Sequence, residues 1–559
     1  WKSKLYFGLG ISWYFSGDIS KAIVDFEKSL KLRGLDSTDM LPPDEVFDNF
    51  FLREPGKNPA IQAGSAALAV AATMERLAFA YNKMEKLDSS LSCFSFCLQA
   101  YAEQFGHESK EVANILYRMG SIYERRQDLK RCVRALQRVL RIKDRAGEVS
   151  SLPCVEDALT YFRLARSLMT LGDFDDAALE HFFSAVRLLE EINLSRQANE
   201  NATKNTTVNL QSEKVDWQAD VSTYNINDLL LEGYSSILTL LRRQNVDSLE
   251  HEEIINEVIH NIGNTQAAVH QYQRALQSLE SVLQFQKSTK GDKHLSVADL
   301  LFNLGNIYVE LGQIDRAREC HLECHAISKS FLGNDSVELA ENIICLGNVE
   351  FLSANHLFAL EWFDEALRLL KKRKGTNEVA IAKCLHRKAL AHDKIGDYDK
   401  SIECFGDVLR LGRKLWGMNH MELSNILNSV GTVHRNRGEI KRAMKCYEES
   451  LRIRSKLHAE LCVANTKNNI GALFISMDRP DHARRFYAEA LRIKTEILGP
   501  ENIETSRSLY NVGQLYVAEK DFRTGLRFFQ EGTYTTSCFL VVFSSVLIVL
   551  LVSLEDLQD

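Results

Sequence analysis

The sequence predicts an all-α protein, a right-handed α-solenoid of stacked antiparallel helix pairs. Three observations carry that prediction. Proline is scarce, with 7 in 559 residues, and four of those (Pro42, Pro43, Pro55 and Pro59) fall in one short stretch, so few breaks interrupt helix elsewhere. A small residue recurs at Gly263, Gly305, Gly347, Ala389, Gly431, Gly471 and Gly513, in steps of 42, 42, 42, 42, 40 and 42 residues. Each is followed at fixed offsets by a second small residue (Ala275, Ala317, Ala359, Ser401, Ala443, Ala483, Gly525), a large one (Leu279, His321, Phe363, Phe405, Tyr447, Tyr487, Phe529) and a compact one (Val282, Cys324, Ala366, Val408, Ser450, Ala490, Gly532). Spacings of four and three put the last three on one helix face. Small residues let two helices approach closely, and the large side chain fills the groove between them. Such a pair cannot bury its face alone and must stack on neighbours.

Taken in order, residues 1–193 carry four weaker copies, centred on Gly10, Ala78, Gly120 and Ala165. The first reads "LGISWYFSGDISKAIVDFEKSL", with Gly10, Trp13, Gly17, Ala22, Phe26 and Leu30 in the repeat positions. The copy at Ala165 fits with one extra residue in its turn, giving Gly172, Ala178, Phe182 and Ala185. Residues 34–66 hold the proline cluster and read as a long loop. Residues 194–250 separate the arrays: 194–222 are polar and Asn-rich and read as disordered, whereas 224–245 read as helix. The 98 residues between Ala165 and Gly263 leave room there for one degenerate unit. Residues 251–532 form a second array of seven units, making eleven in all. Within 533–559, Tyr534–Leu554 is a stretch of 21 residues without a charge. As a helix it would span about 30 Å, a bilayer's hydrocarbon thickness. Arg523 and Arg527 before it and "EDLQD" after it suit a tail anchor with the repeats in the cytosol. The competing readings are a capping helix and mistranslated sequence. The chain opens at Trp1, inside a repeat, as a truncated protein would.

Composition narrows the function. Lys and Arg total 68 against 75 Asp and Glu, a net charge of −7, which argues against nucleic acid as the main partner. The 12 cysteines are scattered, and Cys97, Cys132, Cys324 and Cys446 sit inside helical patterns, as expected of reduced thiols in a cytoplasmic protein. The N-x-S/T sequons at Asn193, Asn201, Asn205 and Asn334 are read as chance, since no secretory signal accompanies them.

The pattern L-G-x-x-Y followed by Gly, Ala, Tyr or Phe, and Ala resembles that of tetratricopeptide repeat (TPR) proteins. The stretches "KSTKGDKHLSVADLLFNLGNIY", "KSFLGNDSVELAENIICLG" and "EILGPENIETSRSLYNVGQLY" resemble the 42-residue repeats of kinesin light chains. The resemblance is strong over 251–532, weaker over 1–192, and absent from 194–222 and the tail. It implies a TPR superhelix whose first helices line a concave groove, and a protein-interaction scaffold or adaptor without catalytic function. Kinesin light chains carry a heptad coiled coil ahead of their repeats; none precedes the first unit here, so association with a motor is not implied.

Residues two before and one after the small position should face the groove. Asparagine recurs there: Asn261 and Asn264, Asn303 and Asn306, Asn348, Asn469 and Asn511, with Asn428, Asn465 and Asn468 on the same or adjacent lines. An amide has both a donor and an acceptor, so it can pair with both polar groups of an extended peptide backbone. Groove asparagines hold peptides in this way in the TPR family, and the resemblance implies that role here. The competing reading has them bonded to neighbouring helices or water. One unit differs. Lys383, Arg387 and Lys394 fall on the groove lines, with His386 beside them and Arg435 in the next unit, a cationic stretch suited to an acidic side chain or a peptide C-terminus.

Other motifs fare worse. "CHLECH" at 320–325 has zinc-compatible spacing, but His321 and Cys324 hold the large and compact packing positions, so they read as core. "KKRK" at 371–374 follows a helix, where basic residues favour the C-terminus. No P-loop, dinucleotide fingerprint or hydrolase motif is present. The expected function is therefore a non-enzymatic scaffold that binds peptide segments of other proteins, with no cofactor or metal. The alternatives are a tail-anchored tether that recruits cytosolic partners, and the non-catalytic part of a larger enzyme or regulator.

Overall fold

The computed structural model describes residues 2–34, 43–52, 65–146, 154–172, 174–203, 225–244, 246, 248–372 and 377–533. The chain divides into two compact units, one from Trp1–Asn199 and Gln211–Val282, the other from Glu200–Leu210 and Leu283–Asp559.

In the first unit, antiparallel pairs form from α1 (Lys2–Phe15) and α2 (Ile19–Lys31), α4 (Ser65–Lys83) and α5 (Leu87–Phe105), α6 (Lys110–Arg125) and α7 (Leu129–Ala146), and α8 (Val155–Leu171) and α9 (Asp175–Thr203). Two departures from the sequence reading appear. The stretch 34–66 is not all loop, because α3 (Pro43–Leu52) forms within it. The stretch 194–222 is not all disordered, because α9 continues to Thr203; residues 204–222 lie outside the described ones. The helix expected within 224–245 is α10 (Ile226–Gln244), whose Gly233 lies against Val186 and Phe162 of the preceding pair. Next comes α11 (Leu249–Ala268), and α12 (Tyr272–Lys290) follows it. The unit boundary falls within α12, so the Gly263 repeat, grouped by sequence with the later array, belongs to the first unit.

The second unit continues with α13 (Leu295–Glu310) and α14 (Ile314–Leu332), α15 (Ala340–Leu352) and α16 (His356–Leu370), and α17 (Glu378–Lys394) and α18 (Tyr398–Trp416). It ends with α19 (Met421–Asn436) and α20 (Ile440–Lys456), α21 (Glu460–Ser476) and α22 (Pro480–Leu498), and α23 (Ile503–Ala518) and α24 (Phe522–Thr533). All eleven small residues lie on the first helix of a pair.

The packing explains the repeat. A Cβ added at Gly431 would stand 2.6 Å from the Tyr447 ring, and one at Gly305, Gly347, Gly471 or Gly513 would collide likewise with His321, Phe363, Tyr487 or Phe529. The large residue is buried in every described repeat of this pattern. Burying such a side chain contributes about 1.5–3 kcal/mol, and only close approach of the two backbones closes the space around it. His321 is such a packing residue. Its ring faces Phe302, its Nδ1 lies 3.0 Å from Asn342 Oδ1, and Cys324 is in the same core, so these two residues of "CHLECH" are core as the spacing indicated.

Turns repeat as well. The residue seven after the small one takes a left-handed backbone in each pair: glycine at Gly17, Gly172, Gly312, Gly396 and Gly438, but Glu85, Gln127, His270, Ala354, Asp478 and Lys520 elsewhere. For an L side chain that conformation costs about 1–2 kcal/mol. Helix starts are capped by side chains such as Ser109, Asp397 and Asn502, each accepting from a backbone N–H inside its helix.

The uncharged segment Tyr534–Leu554 lies outside the described residues. Among the described residues no helix is long and apolar enough to cross a membrane.

Two expected outcomes follow from this packing. Gly431→Ala should destabilise the chain by about 1–3 kcal/mol through the forced shift of Tyr447. Ala354→Gly should stabilise it by up to about 1 kcal/mol, because the left-handed strain is relieved. Denaturant unfolding of the full chain measures both; a neutral Gly431→Ala variant would contradict the packing account.

Candidate functional site

In the second unit, successive first helices touch one another along one face. The bonds that join them are side chain to side chain. Cys345 Sγ of α15 lies 3.7 Å from Asn306 Oδ1 of α13, and Ser429 Oγ of α19 lies 3.5 Å from His386 Nε2 of α17. Asn436 Nδ2 of α19 donates to Asp393 of α17 at 3.1 Å. Asn469 Nδ2 of α21 donates to Asn428 Oδ1 of α19 at 3.0 Å. Two of the sequence-selected asparagines are therefore one bonded pair, which leaves Asn428 Nδ2 and Asn469 Oδ1 as a donor and an acceptor side by side.

The remaining candidates fall into place unevenly. Asn303, Asn306, Asn348 and Asn511 are half-buried on α13, α15 and α23, and Asn348 Oδ1 is buried without a hydrogen bond among the described residues. Asn261 and Asn264 are half-buried on α11, in the first unit, where Asn264 Nδ2 lies 3.2 Å from His260 Nε2. Asn465 is exposed. Asn468 points inward: it is buried and donates to Ser508 Oγ at 2.9 Å, so it joins α21 to α23 and does not line the face.

The cationic stretch is borne by α17. Lys383, Arg387 and Lys394 are exposed and form no ion pair among the described residues. Arg435 is half-buried on α19, with Asn436 Oδ1 at 3.5 Å. Other basic side chains of this unit do pair, as Arg318 does with Glu350 and Arg484 with Glu519. Burial and the adjacent Arg387 hold the His386 imidazole down to about 4, so it is neutral at pH 7 and adds a ring, not a charge, to the face. Asp393, which the sequence reading passed over, is a carboxylate on the same face, held by Asn436.

Sequence reasoning also missed what ties each pair to the next. Arg454 of α20 is 4% exposed and donates to Ser424 Oγ, Asn425 Oδ1, Cys462 O and Thr466 Oγ1 at 2.7–3.1 Å. Lys494, at the same place in the next repeat, donates to Glu504 Oε2 at 3.0 Å. Their equal offset from Gly431 and Gly471 was the available signal. Burial pushes the Cys93 and Cys384 thiols each up to about 12, so they stay protonated at neutral pH.

The neutral histidines set a pH dependence. Burial lowers His321, His325 and His392 as it does His386, so the unfolded chain takes up protons that the folded chain refuses. Stability is full above the ordinary histidine value of 6.5 and falls as pH drops from there towards 4. Thermal unfolding midpoints across that window should fall with acid, and His386→Gln should flatten the slope; an unchanged slope would show that His386 is not held neutral.

A tetratricopeptide repeat profile matches residues 69–145, 255–330, 338–414, 422–496 and 462–533, together more than half of the chain. No curated protein sequence matches it. Among similar solved structures, BtubC (BKLC) from P. vanneervenii is 20% identical over 40% of this chain and 90% of its own, with a TM-score of 0.34. A Podosopora anserina putative kinesin light chain with nearly identical TPR-like repeats is 19% identical over 36% and 95%, with a TM-score of 0.32. The Rap conjugation gene regulator of the plasmid pLS20, in complex with the Phr* peptide, is 14% identical over 70% and 98%, with a TM-score of 0.42. The profile matches span the pairs from α4 to α7 and from α11 to α24, and the second stretch contains all five of the Gly–ring contacts described above. The chain belongs to the tetratricopeptide repeat family.

Proposed function

We propose that the second unit is a protein-interaction scaffold that binds an extended segment of a partner along the face formed by α13, α15, α17, α19, α21 and α23. The repeat architecture supports a scaffold role in general. The specific reading rests on one observation: α17 carries three exposed cations without carboxylate partners among the described residues, and the next first helix, α19, is joined to α21 by the half-buried amide pair Asn428–Asn469. In this reading Asn428 and Asn469 hold the peptide backbone, with Asn303, Asn306, Asn348 and Asn511 extending the line. Lys383, Arg387 and Lys394, with Arg435, take an acidic side chain or a C-terminal carboxylate of the peptide. Asn261 and Asn264 offer the same chemistry in the first unit. Binding, not catalysis, is the role such a surface supports, in the cytoplasm.

A second reading has one observation in its favour, the uncharged Tyr534–Leu554. It makes the chain a membrane-attached tether whose repeats recruit cytosolic partners. Removal of 534–559 should then release the protein from membranes, and unchanged fractionation would exclude it.

The scaffold reading is tested by selecting displayed random peptides on the full chain. The selected peptides should carry a carboxylate. Asn469→Ala should weaken their binding about tenfold, the loss expected for one or two backbone hydrogen bonds. Lys383→Glu with Arg387→Glu should abolish salt-sensitive binding. Circular dichroism would confirm that both variants fold. Peptides whose binding survives all of these changes would refute the assignment of this face.

A further inference from the structure

In the first unit, the non-repeat helix α3 fills the gap beside the pair α6–α7. Phe47 is fully buried against Tyr123, with ring centroids 4.9 Å apart. Asp44 accepts from Arg126 at 3.1 Å and lies 3.4 Å from Arg131. Asp48 accepts from Arg131 at 2.7 Å and from Arg134 at 3.2 Å. Arg131 also pairs with Asp128, which belongs to the same repeat.

The repeat register locates the matching gap in the second unit. Tyr123, Asp128, Arg131 and Arg134 stand at the same offsets from Gly120 as His392, Asp397, Lys400 and Glu403 from Ala389. The Arg131–Asp128 pair has its counterpart in Lys400–Asp397 at 2.9 Å. What differs is the filling. Between α16, α17 and α18 lies an open cavity of about 370 Å³, lined among others by Leu367, Leu385, Lys388, His392, Lys400 and Cys404. His392, the counterpart of Tyr123, is 6% exposed; its Nδ1 makes no hydrogen bond among the described residues and lies 3.9 Å from Asp397 Oδ2.

Neighbouring repeats set their own side chains against the residue at the His392 position. Arg316 lies over the Tyr308 ring, and His434 bonds Glu439 at 2.7 Å. Phe474 stacks on His482 and Phe486, and Tyr516 stacks on Phe528. At His392 the same positions hold Lys400 and Asp397, and Lys388 pairs with Asp364 on α16, but no ring among the described residues stacks on the imidazole and the cavity stays open; the Lys400–Asp397 pair matches the Arg131–Asp128 pair beside α3.

We infer that the gap over His392 is a second docking site, which takes a short helix of a partner protein bearing an acidic residue, an aromatic residue three positions on, and a basic residue next to that. The spacing is that of Asp44, Phe47 and Asp48 in α3. The aromatic ring lies on His392 between Leu385 and Cys404, as Phe47 lies on Tyr123. The first acid meets Lys400, as Asp44 meets Arg131; the place of Arg126, which also donates to Asp44, is taken by Ile395. The third residue is basic because the counterpart of Arg134 is Glu403, which is exposed and forms no ion pair among the described residues. This site uses a different part of α17 from the cations of the proposed peptide face, so the two can be occupied independently.

The test uses the full chain and two labelled peptides, the α3 sequence PDEVFDNFFL and the same peptide with Asp48→Lys. By fluorescence anisotropy the lysine peptide should bind at least about fivefold more tightly. Glu403→Arg in the protein should reverse that preference, and Cys404→Trp, which fills the gap, should abolish binding of the lysine peptide. Arg131→Ala, in the α3 site, should leave lysine-peptide binding unchanged. Circular dichroism checks folding; should Cys404→Trp unfold, the reversal by Glu403→Arg at an exposed position still decides. Failure of the lysine peptide to bind would overturn the proposal, as would a preference that ignores Glu403→Arg or a loss of binding with Arg131→Ala. Lys383→Glu with Arg387→Glu should not affect these peptides.

Discussion

Everything in the second unit depends on one contact, the seating of a ring from the second helix of each pair on a backbone that has no side chain in the first. At Gly305, Gly347, Gly431, Gly471 and Gly513 there is no room for even a methyl group. That contact sets how closely the two helices approach and on which face they meet. Once it is fixed, the opposite face of each first helix has only the preceding and following first helices beside it. The side-chain bonds from α13 to α15, from α17 to α19 and from α19 to α21 follow from this arrangement. Ala389 is the exception, and in its repeat the second helix packs Phe405 against a residue that already has a Cβ.

The same logic separates two kinds of polar residue. Those that turn towards the next pair, such as Arg454, Lys494 and Asn468, are buried and bonded and hold the stack together. A buried cation is tolerated only with its donors satisfied, and Arg454 meets four neutral acceptors. Residues that turn away from the stack, such as Lys383 and Arg387, are solvated and have no ion pair among the described residues. The division between structural and candidate binding residues is thus one of direction, since both kinds occur on the same short helices.

This explains how much was legible in the sequence. The Gly–ring contact reads directly from spacing, because a residue that must be absent and a ring that must be present leave a periodic trace. The pair at Ala165 could be read even with its extra turn residue. By contrast, α3 lay hidden among prolines: a lone helix of 10 residues has no period, and it is held by Phe47 and two aspartates on arginines about eighty residues away. The start of 194–222 was read as disordered from its composition, whereas α9 runs on as helix into it. On the candidate face, spacing identified the lines but not their direction at the margin. Asn468 is one position from Asn469, about 100° round the helix, and that step turns it from the face to the interior.

The central claim is that successive first helices present one continuous track to an extended peptide. Photo-crosslinking residues placed singly at Asn303, Asn348 and Asn511 of the full chain, with a peptide selected on it, test this most directly. Mapping of the crosslinked peptide positions should give an ordered series, each helix along the chain reaching a successive stretch of one peptide. Crosslinks that all converge on one peptide residue, or that form equally from Arg442 on the outer helix α20, would contradict it.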